Sequence, residues 1–347
     1  MSDQFQYLYL HEGKVDKDSY YAFLKKYYGE NAEFRINKRY TWYKRYLGFR
    51  CLLALKDDTI VGQSCAFKVR IMTPEGEREW WWGCDSFVLQ QYRGLGVGKG
   101  LQTRLYTDLP NFSSVGYSDA NGYVKLKSGA HSICLTYPSL YPISRYLSVW
   151  SLLAKQIVFK QNNTNKYLFP AIPLYSLINK VNVSNYIIKE GNFNAKNLQY
   201  IDECLKVHYD FYVIRDEQYI KWKFDENPSV KYHLLEVYDG NGLKGLLVFS
   251  IAYNGFIFRC PLRMCKLYDM YFKDNGLTLK EVVQIINNYF IGRNEKIEAI
   301  YGLFKGNYRP TIRYPKTGRK LLSSYKGAFA SPYFSLSDQD LDQITDT

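Results

Sequence analysis

The sequence has no Cys-x-x-Cys pair, only 4 histidines in 347 residues, and no uninterrupted apolar run of about 18 residues. Its 7 cysteines, Cys51, Cys65, Cys84, Cys134, Cys204, Cys260 and Cys265, follow no zinc-ligand spacing. Their odd, scattered count suits a reducing compartment in which thiols pack as small hydrophobes. No metal site is therefore expected. The missing apolar run excludes a membrane-spanning helix. The first twenty residues carry acids where a secretory leader needs basic residues ahead of an apolar stretch, so a cytoplasmic protein is expected. Charge is also unfocused. Lys and Arg number 46 against 33 Asp and Glu, yet no block of five like charges and no basic tail occurs. A nucleic-acid partner is not expected, whereas a generally positive surface favours an anionic small ligand.

What the chain has in excess is tyrosine, 34 residues, within a 46% hydrophobic composition. Large rings supply core area, and the length suits about two domains of roughly 150 residues. Tyr20, Phe23, Leu24 and Tyr27 fall at i, i+3, i+4 and i+7 and predict a helix over 16–28. A second, aromatic and basic, is predicted over 36–46. The texture then changes to strands over 51–55 and 60–71, separated by a Lys-Asp-Asp-Thr turn, and to a long strand over 79–89 that carries Trp80, Trp81 and Trp82. Helix, strand, helix and strand follow over 98–108, 113–117, 121–128 and 132–137. The fold class is α+β with one parallel crossover at its centre. Residues 161–194, with eight Asn and two Pro, read as a connection between a domain of 1–160 and one of 195–347. The second half partly repeats the first. Its hairpin Leu234–Asp239 and Gly245–Phe249 resembles Leu52–Asp57 and Gly62–Phe67, and a tryptophan on a basic-aromatic helix precedes each hairpin, Trp42 and Trp222.

The run Gln91-Tyr92-Arg93-Gly94-Leu95-Gly96-Val97-Gly98-Lys99 joins the long strand to a helix. Glycines let the backbone turn tightly and leave N–H groups pointing outward at a helix N-terminus, a nest for phosphate oxygens. Arg93 and Lys99 add positive charge. A nucleoside-triphosphatase loop is excluded because Gly98-Lys99 is followed by Gly100 rather than Ser or Thr. A dinucleotide fingerprint fits poorly, since the spacing is G-x-G-x-G without a clear βαβ frame.

With this loop the sequence resembles the GNAT acyltransferase superfamily, whose (Gln/Arg)-x-x-Gly-x-(Gly/Ala) motif matches Gln91 to Gly96. The likeness covers about residues 35–140. The second half looks like the C-terminal part of two-domain members, including Fem-like transferases, through Gln218-Tyr-Ile-Lys-Trp-Lys-Phe224 and Asn227-Pro228. The resemblance implies two lobes, each a mixed, mostly antiparallel twisted sheet flanked by helices, the second degenerate because Lys273-Asp-Asn-Gly-Leu277 stands where the glycine loop would be.

It further implies acetyl-CoA or another acyl-CoA as cosubstrate and a small-molecule amine or amino sugar as acceptor. The backbone of Phe87, Val88 and Leu89 would face the thioester and pantetheine, and the segment from Gln91 through Leu95 and Val97 to Lys99 would hold the pyrophosphate. Asp85 and Glu79 are the candidate bases. The family's general-acid tyrosine has no counterpart, because Lys125 stands at its place; Tyr117 and Tyr123 are the nearby candidates. Tyr219, Trp222 and Arg263 are expected to border the acceptor site. Two alternatives accompany this reading, a Fem-type aminoacyl transferase and a non-catalytic ligand- or partner-binding protein.

Overall fold

The computed structural model describes residues 5–114, 119–128, 131–136, 138–142, 185–209, 212–254, 262–273, 277–295, 297, 299–303, 312–313 and 319–323. In chain order the strands are β1 (Gln6–Tyr9), β2 (Phe49–Lys56), β3 (Thr59–Thr73), β4 (Gly76–Val88), β5 (Phe112–Ser114), β6 (His131–Thr136), β7 (Pro138–Pro142), β8 (Ile187–Gly191), β9 (Tyr212–Val213), β10 (Tyr232–Asp239), β11 (Gly242–Asn254), β12 (Leu262–Phe272), β13 (Ala299–Leu303), β14 (Ile312–Arg313) and β15 (Arg319–Ser323). The helices are α1 (Lys17–Tyr28), α2 (Asn31–Phe34), α3 (Thr41–Arg45), α4 (Val97–Asp108), α5 (Asp119–Lys127), α6 (Ala195–His208), α7 (Glu217–Ile220) and α8 (Leu279–Gly292). None of the described helices is long and apolar enough to cross a membrane.

Two compact units emerge, one from Met1–Leu135, Tyr209–Ser229 and Lys320–Tyr333, the other from Thr136–His208, Val230–Arg319 and Phe334–Thr347. The contacts thus place Tyr209–Ser229 with the first unit, although composition had grouped them with 195–347. Aromatic packing is the reason. Trp42 and Trp222 stack at 4.7 Å, and each indole N–H donates to the other's carbonyl, at 2.7 and 2.9 Å. Tyr46 covers the Trp222 ring at 4.9 Å. β9 joins the same unit by pairing with Ile71 and Met72 of β3. The segment expected to connect the halves lies mostly outside the described residues, which resume at Asn185.

The first sheet has the order β1-β2-β3-β4-β5-β15-β6, with β9 beside β3. Its hairpin turn places Asp57 and Asp58 at φ 47 and 60°, the left-handed pair that matches strand twist. One face carries α4, whose Val97, Leu101 and Leu105 pack on Leu52, Ala54, Val61, Ala66 and Trp81. Against the other pack α1, capped by Asp16, and a helical run over 31–45. That run starts earlier than its periodicity predicts and widens into a π-helical stretch at Arg35–Tyr40, where Arg35 and Arg39 turn into the interior. A second π-helical stretch, Lys221–Asp225, carries Trp222.

The second sheet, β14-β7-β13-β12-β11-β10-β8, repeats the plan: an edge strand, a hairpin, a long strand, then a parallel neighbour. α8 covers one face through Val282, Ile285, Ile286 and Phe290. Each sheet is completed by a strand from the other half of the chain, β15 in the first and β7 in the second.

Candidate active site

The site is built at the end of β4. Pairing with β3 runs from Thr73↔Gly76 to Gly62↔Val88, with one extra β4 residue inserted between Cys65↔Cys84 and Gln63↔Phe87. Asp85 lies in this bulge at φ 43°, a left-handed conformation rare outside glycine. The bulge changes which way the strand's amides face. Trp81 N–H points to the β5 side, donating to Asn111 O at 3.1 Å, whereas Leu89 N–H points to β3, donating to Val61 O at 2.9 Å. In an unbroken strand the two odd-numbered residues would face the same edge. By alternation from Leu89, Val88 presents its N–H and C=O to the β5 side, and its carbonyl accepts from Arg93 Nε at 3.0 Å. Of the three backbone segments expected at the thioester, Leu89 is therefore committed to β3, and Val88 faces the open edge.

Among the described residues β5 is short and nothing pairs with this edge beyond it. β4 and β5 pair in parallel only at Trp81↔Phe112 and Trp82↔Ser113, so Gly83–Val88 has no ladder partner on this side among the described residues. Gly83 is required at the fork, where an added Cβ would lie 2.7 Å from the Phe112 ring.

Beyond Val88 the chain turns through Gln90–Tyr92 into the glycine loop. Gly94 and Gly96 have φ 81 and 87°, and an added Cβ at either meets open space. Gly96 is the N-cap of α4; no side chain caps the helix and no acid stands in its first turn. The first intrahelical bond is Gly100 N–H to Gly96 O at 3.0 Å. The amides of Val97, Gly98 and Lys99 precede it and have no helical partner. Arg93, Leu95, Gln91 and Lys99 are exposed around this nest, and Val97 is buried as the helix's anchor.

A polar cluster ties the bulge to both helical layers. Asp85 Oδ1 accepts from Arg35 Nη1 at 3.3 Å and from Tyr28 OH at 3.5 Å, both partners of the ion pair being almost fully buried. Burial is the largest influence on the Arg35 guanidinium and works against it, but the Asp85 carboxylate together with Tyr28 and Tyr43 raises its pKa overall. Burial, then the Asp85 charge, pushes the Tyr28 phenol well above its ordinary value. Gln63 Nε2 donates to the bulge carbonyl, Asp85 O, at 3.1 Å and to Tyr40 OH at 2.9 Å, while its Oε1 accepts from Tyr20 OH at 2.9 Å. On the α4 face, Gln102 Nε2 donates to Ser64 Oγ at 3.0 Å, and Ser64 and Ser86 hydroxyls bond at 2.5 Å. Sequence reading missed Arg35, Gln63, Ser64, Ser86 and Gln102. Their signal was polar residues at inward positions of apolar elements.

The other expected site residues fall elsewhere. Glu79 is exposed, pairs with Lys68 at 2.8 Å and lies on β4 outside the Gly83–Val88 edge. Tyr123 is 64% exposed on α5. Tyr117 lies outside the described residues. Tyr219 and Trp222 are buried core of the first unit, in edge contact with each other at 5.6 Å. Arg263 belongs to the second unit, ion-paired with Glu295. Phe87 is buried on the α1 side, stacked with Phe23 at 5.2 Å and Tyr27 at 3.7 Å. Among the described residues no group of His, Cys, Asp and Glu is arranged to hold a metal ion.

The bulged central strand, its fork with a parallel neighbour and the uncapped helix after it can be compared with solved structures. A GCN5-related N-acetyltransferase from Anabaena variabilis aligns with 92% of this chain and 72% of its own, with a TM-score of 0.54 at 11% identity. A probable N-acyltransferase from Enterococcus faecalis aligns with 92% of this chain and 71% of its own, with a TM-score of 0.54 at 12% identity. The N-myristoyltransferase of Saccharomyces cerevisiae, with bound myristoyl-CoA, covers all of this chain and 85% of its own, with a TM-score of 0.51 at 11% identity. The chain has the GNAT fold. No protein-family model matches the sequence, and no curated protein matches it. Within the GNAT fold the two units differ at the helix after the long strand. In the second unit Thr278 and Glu281 form a reciprocal capping box on α8, with Glu281 Oε2 accepting from Thr278 N–H at 2.7 Å. A carboxylate thus closes that helix end to anions, while Gly96 leaves the end of α4 open.

Proposed function

We propose that the chain is an N-acyltransferase that takes an acyl-CoA, in the first instance acetyl-CoA, and passes the acyl group to a primary amine of a small molecule or amino sugar. The observation that carries this is the uncapped N-terminus of α4 directly after a bulged strand whose Val88 amide faces an unpaired edge. The residues fit the donor. Amides of Val97, Gly98 and Lys99, the helix dipole and the exposed Arg93 and Lys99 suit a pyrophosphate, with space over Gly94 and Gly96 for its oxygens. The open edge Gly83–Val88 suits the pantetheine amides, which pair with it as a strand would. Val88 N–H is a donor fixed along that edge before anything binds, placed to pair with an amide carbonyl of the pantetheine arm.

The thioester supplies an activated acyl group; the acceptor nitrogen attacks its carbonyl carbon, the C–N bond forms, and the C–S bond breaks with the thiol as leaving group. Asp85 serves here as a positioning residue, since its carboxylate is held by Arg35 and Tyr28 while its backbone forms the bulge. The test is thiol release from acetyl-CoA across a panel of amines, with myristoyl-CoA as a second donor because of the likeness to the yeast enzyme. Amine-dependent release supports the reading. Binding of both donors without release from either overturns it in favour of the non-catalytic alternative.

A further inference from the structure

α5 carries a lysine where a lysine is costly. Tyr123, Leu126 and Lys127 of this helix are exposed, but Lys125 is 4% exposed, and its Nζ donates to Ser114 Oγ at 2.6 Å. Ser114 is the last residue of β5, 1% exposed, and its Cβ lies 3.1 Å from the position a Cβ would take on Gly83. The ammonium is therefore held at the fork where β4 leaves β5, at the inner end of the open edge. A buried ammonium must be partnered, and Ser114 Oγ is one of the groups that fix Nζ at this point.

A donor whose pyrophosphate rests on α4, and whose arm follows the open edge back from Val88, reaches this fork. The six residues from Val88 back to Gly83 span roughly 15 Å of strand, comparable to an extended pantetheine. Its sulfur then arrives beside Nζ. Resting on the acyltransferase reading above, we propose that Lys125 is the general acid of the reaction. As the amine nitrogen bonds to the acyl carbon, the C–S electron pair goes to sulfur, and the Lys125 ammonium first stabilises this thiolate and then gives it a proton. The neutral amine left on Lys125 regains a proton from water, which also carries off the one lost by the acceptor nitrogen. The side chain fills the role for which sequence reading looked to Tyr117 and Tyr123.

The test needs no acceptor. Free CoA is titrated on the protein while its thiolate absorbance is followed, for the natural chain and for Lys125→Gln and Lys125→Met. Glutamine keeps a donor for Ser114 but carries no charge, so a folded variant is available even if methionine disrupts packing. The expected result is a bound-thiol pKa at least one unit lower in the natural chain than in Lys125→Gln, a tenfold change in acid dissociation, with CoA affinity within about threefold. Equal thiol pKa values in two proteins that both bind CoA overturn the role of Lys125 and leave the donor reading standing. Loss of CoA affinity or of folding in Lys125→Gln makes the lysine a structural residue and also overturns it. A natural chain that binds no CoA overturns both readings together.

Discussion

At the scale of single residues, Asp85 is held by both its backbone and its side chain. Its left-handed backbone makes the bulge, its carbonyl is taken by Gln63, and its carboxylate neutralises Arg35 inside the first unit. Removing one member of a buried ion pair leaves the other charge uncompensated, at a cost of about 3–5 kcal/mol. Asp85→Asn is therefore expected to lower the unfolding free energy by that order in urea titrations, and Arg35→Met added to it to recover a large part. A double variant no more stable than Asp85→Asn would contradict the pairing argument. In the second unit, His233 is half-buried and stacked on Phe249 at 5.3 Å; burial first, then Lys231, lowers its pKa from 6.5. The unfolded chain then binds the proton more readily than the folded one, so stability is fully present above pH 6.5 and falls as pH drops from there through the depressed folded value. Thermal melts between pH 7.5 and 5 should show this loss, and His233→Phe should flatten it. An unchanged slope in the variant assigns the pH dependence to other groups.

At the scale of elements, what was legible follows from what leaves a periodic trace. The α1 stripe of Tyr20, Phe23 and Leu24, the hairpins of both halves and the glycine loop lie within a few residues of their predicted positions, because helical spacing, alternation and turn residues are local signals. The π-helical stretch at Arg35–Tyr40 left no such trace; it depends on where two arginines find partners in the interior. The bulge was equally hidden, since Cys84-Asp85-Ser86 reads as ordinary strand, yet it decides that Val88 rather than Leu89 faces the open edge. The contrast between the two loop helices was half legible. Thr278 and Glu281 have capping-box spacing, but only the structure shows the carboxylate seated on the helix end.

At the scale of the whole molecule, the repeat of the two halves was readable in the hairpins, whereas the exchange of strands β7 and β15 was not: both are short and neither alternates clearly. The placement of Trp222 in the first unit was likewise invisible, because a reciprocal indole–carbonyl pair has no sequence spacing. It has a clear consequence. A chain ending at residue 160 lacks β9, β15 and the partner of Trp42, and exposes Tyr46 and Phe67, which now pack on Trp222. Losing such an aromatic contact costs about 3–5 kcal/mol by comparison with Trp→Ala in cores, a large part of a domain's stability. The shortened chain is expected to show no cooperative thermal transition by circular dichroism. A sharp transition like that of the full chain would refute the dependence on Trp222.

The central claim is that the open end of α4 receives the pyrophosphate of an acyl-CoA. The measurement that tests it most directly is calorimetric titration with acetyl-CoA, with free CoA and NADH as controls, on the natural chain and on Arg93→Glu with Gly96→Asp. Aspartate at Gly96 fills the nest with negative charge, and its strain of about 1–2 kcal/mol at φ 87° lowers the melting temperature of a chain this size by only a few degrees. The account predicts micromolar binding shared by acetyl-CoA and CoA, none of NADH, and loss of binding in the double variant at nearly unchanged melting temperature. Binding retained by the double variant, or absent from the natural chain, would contradict it.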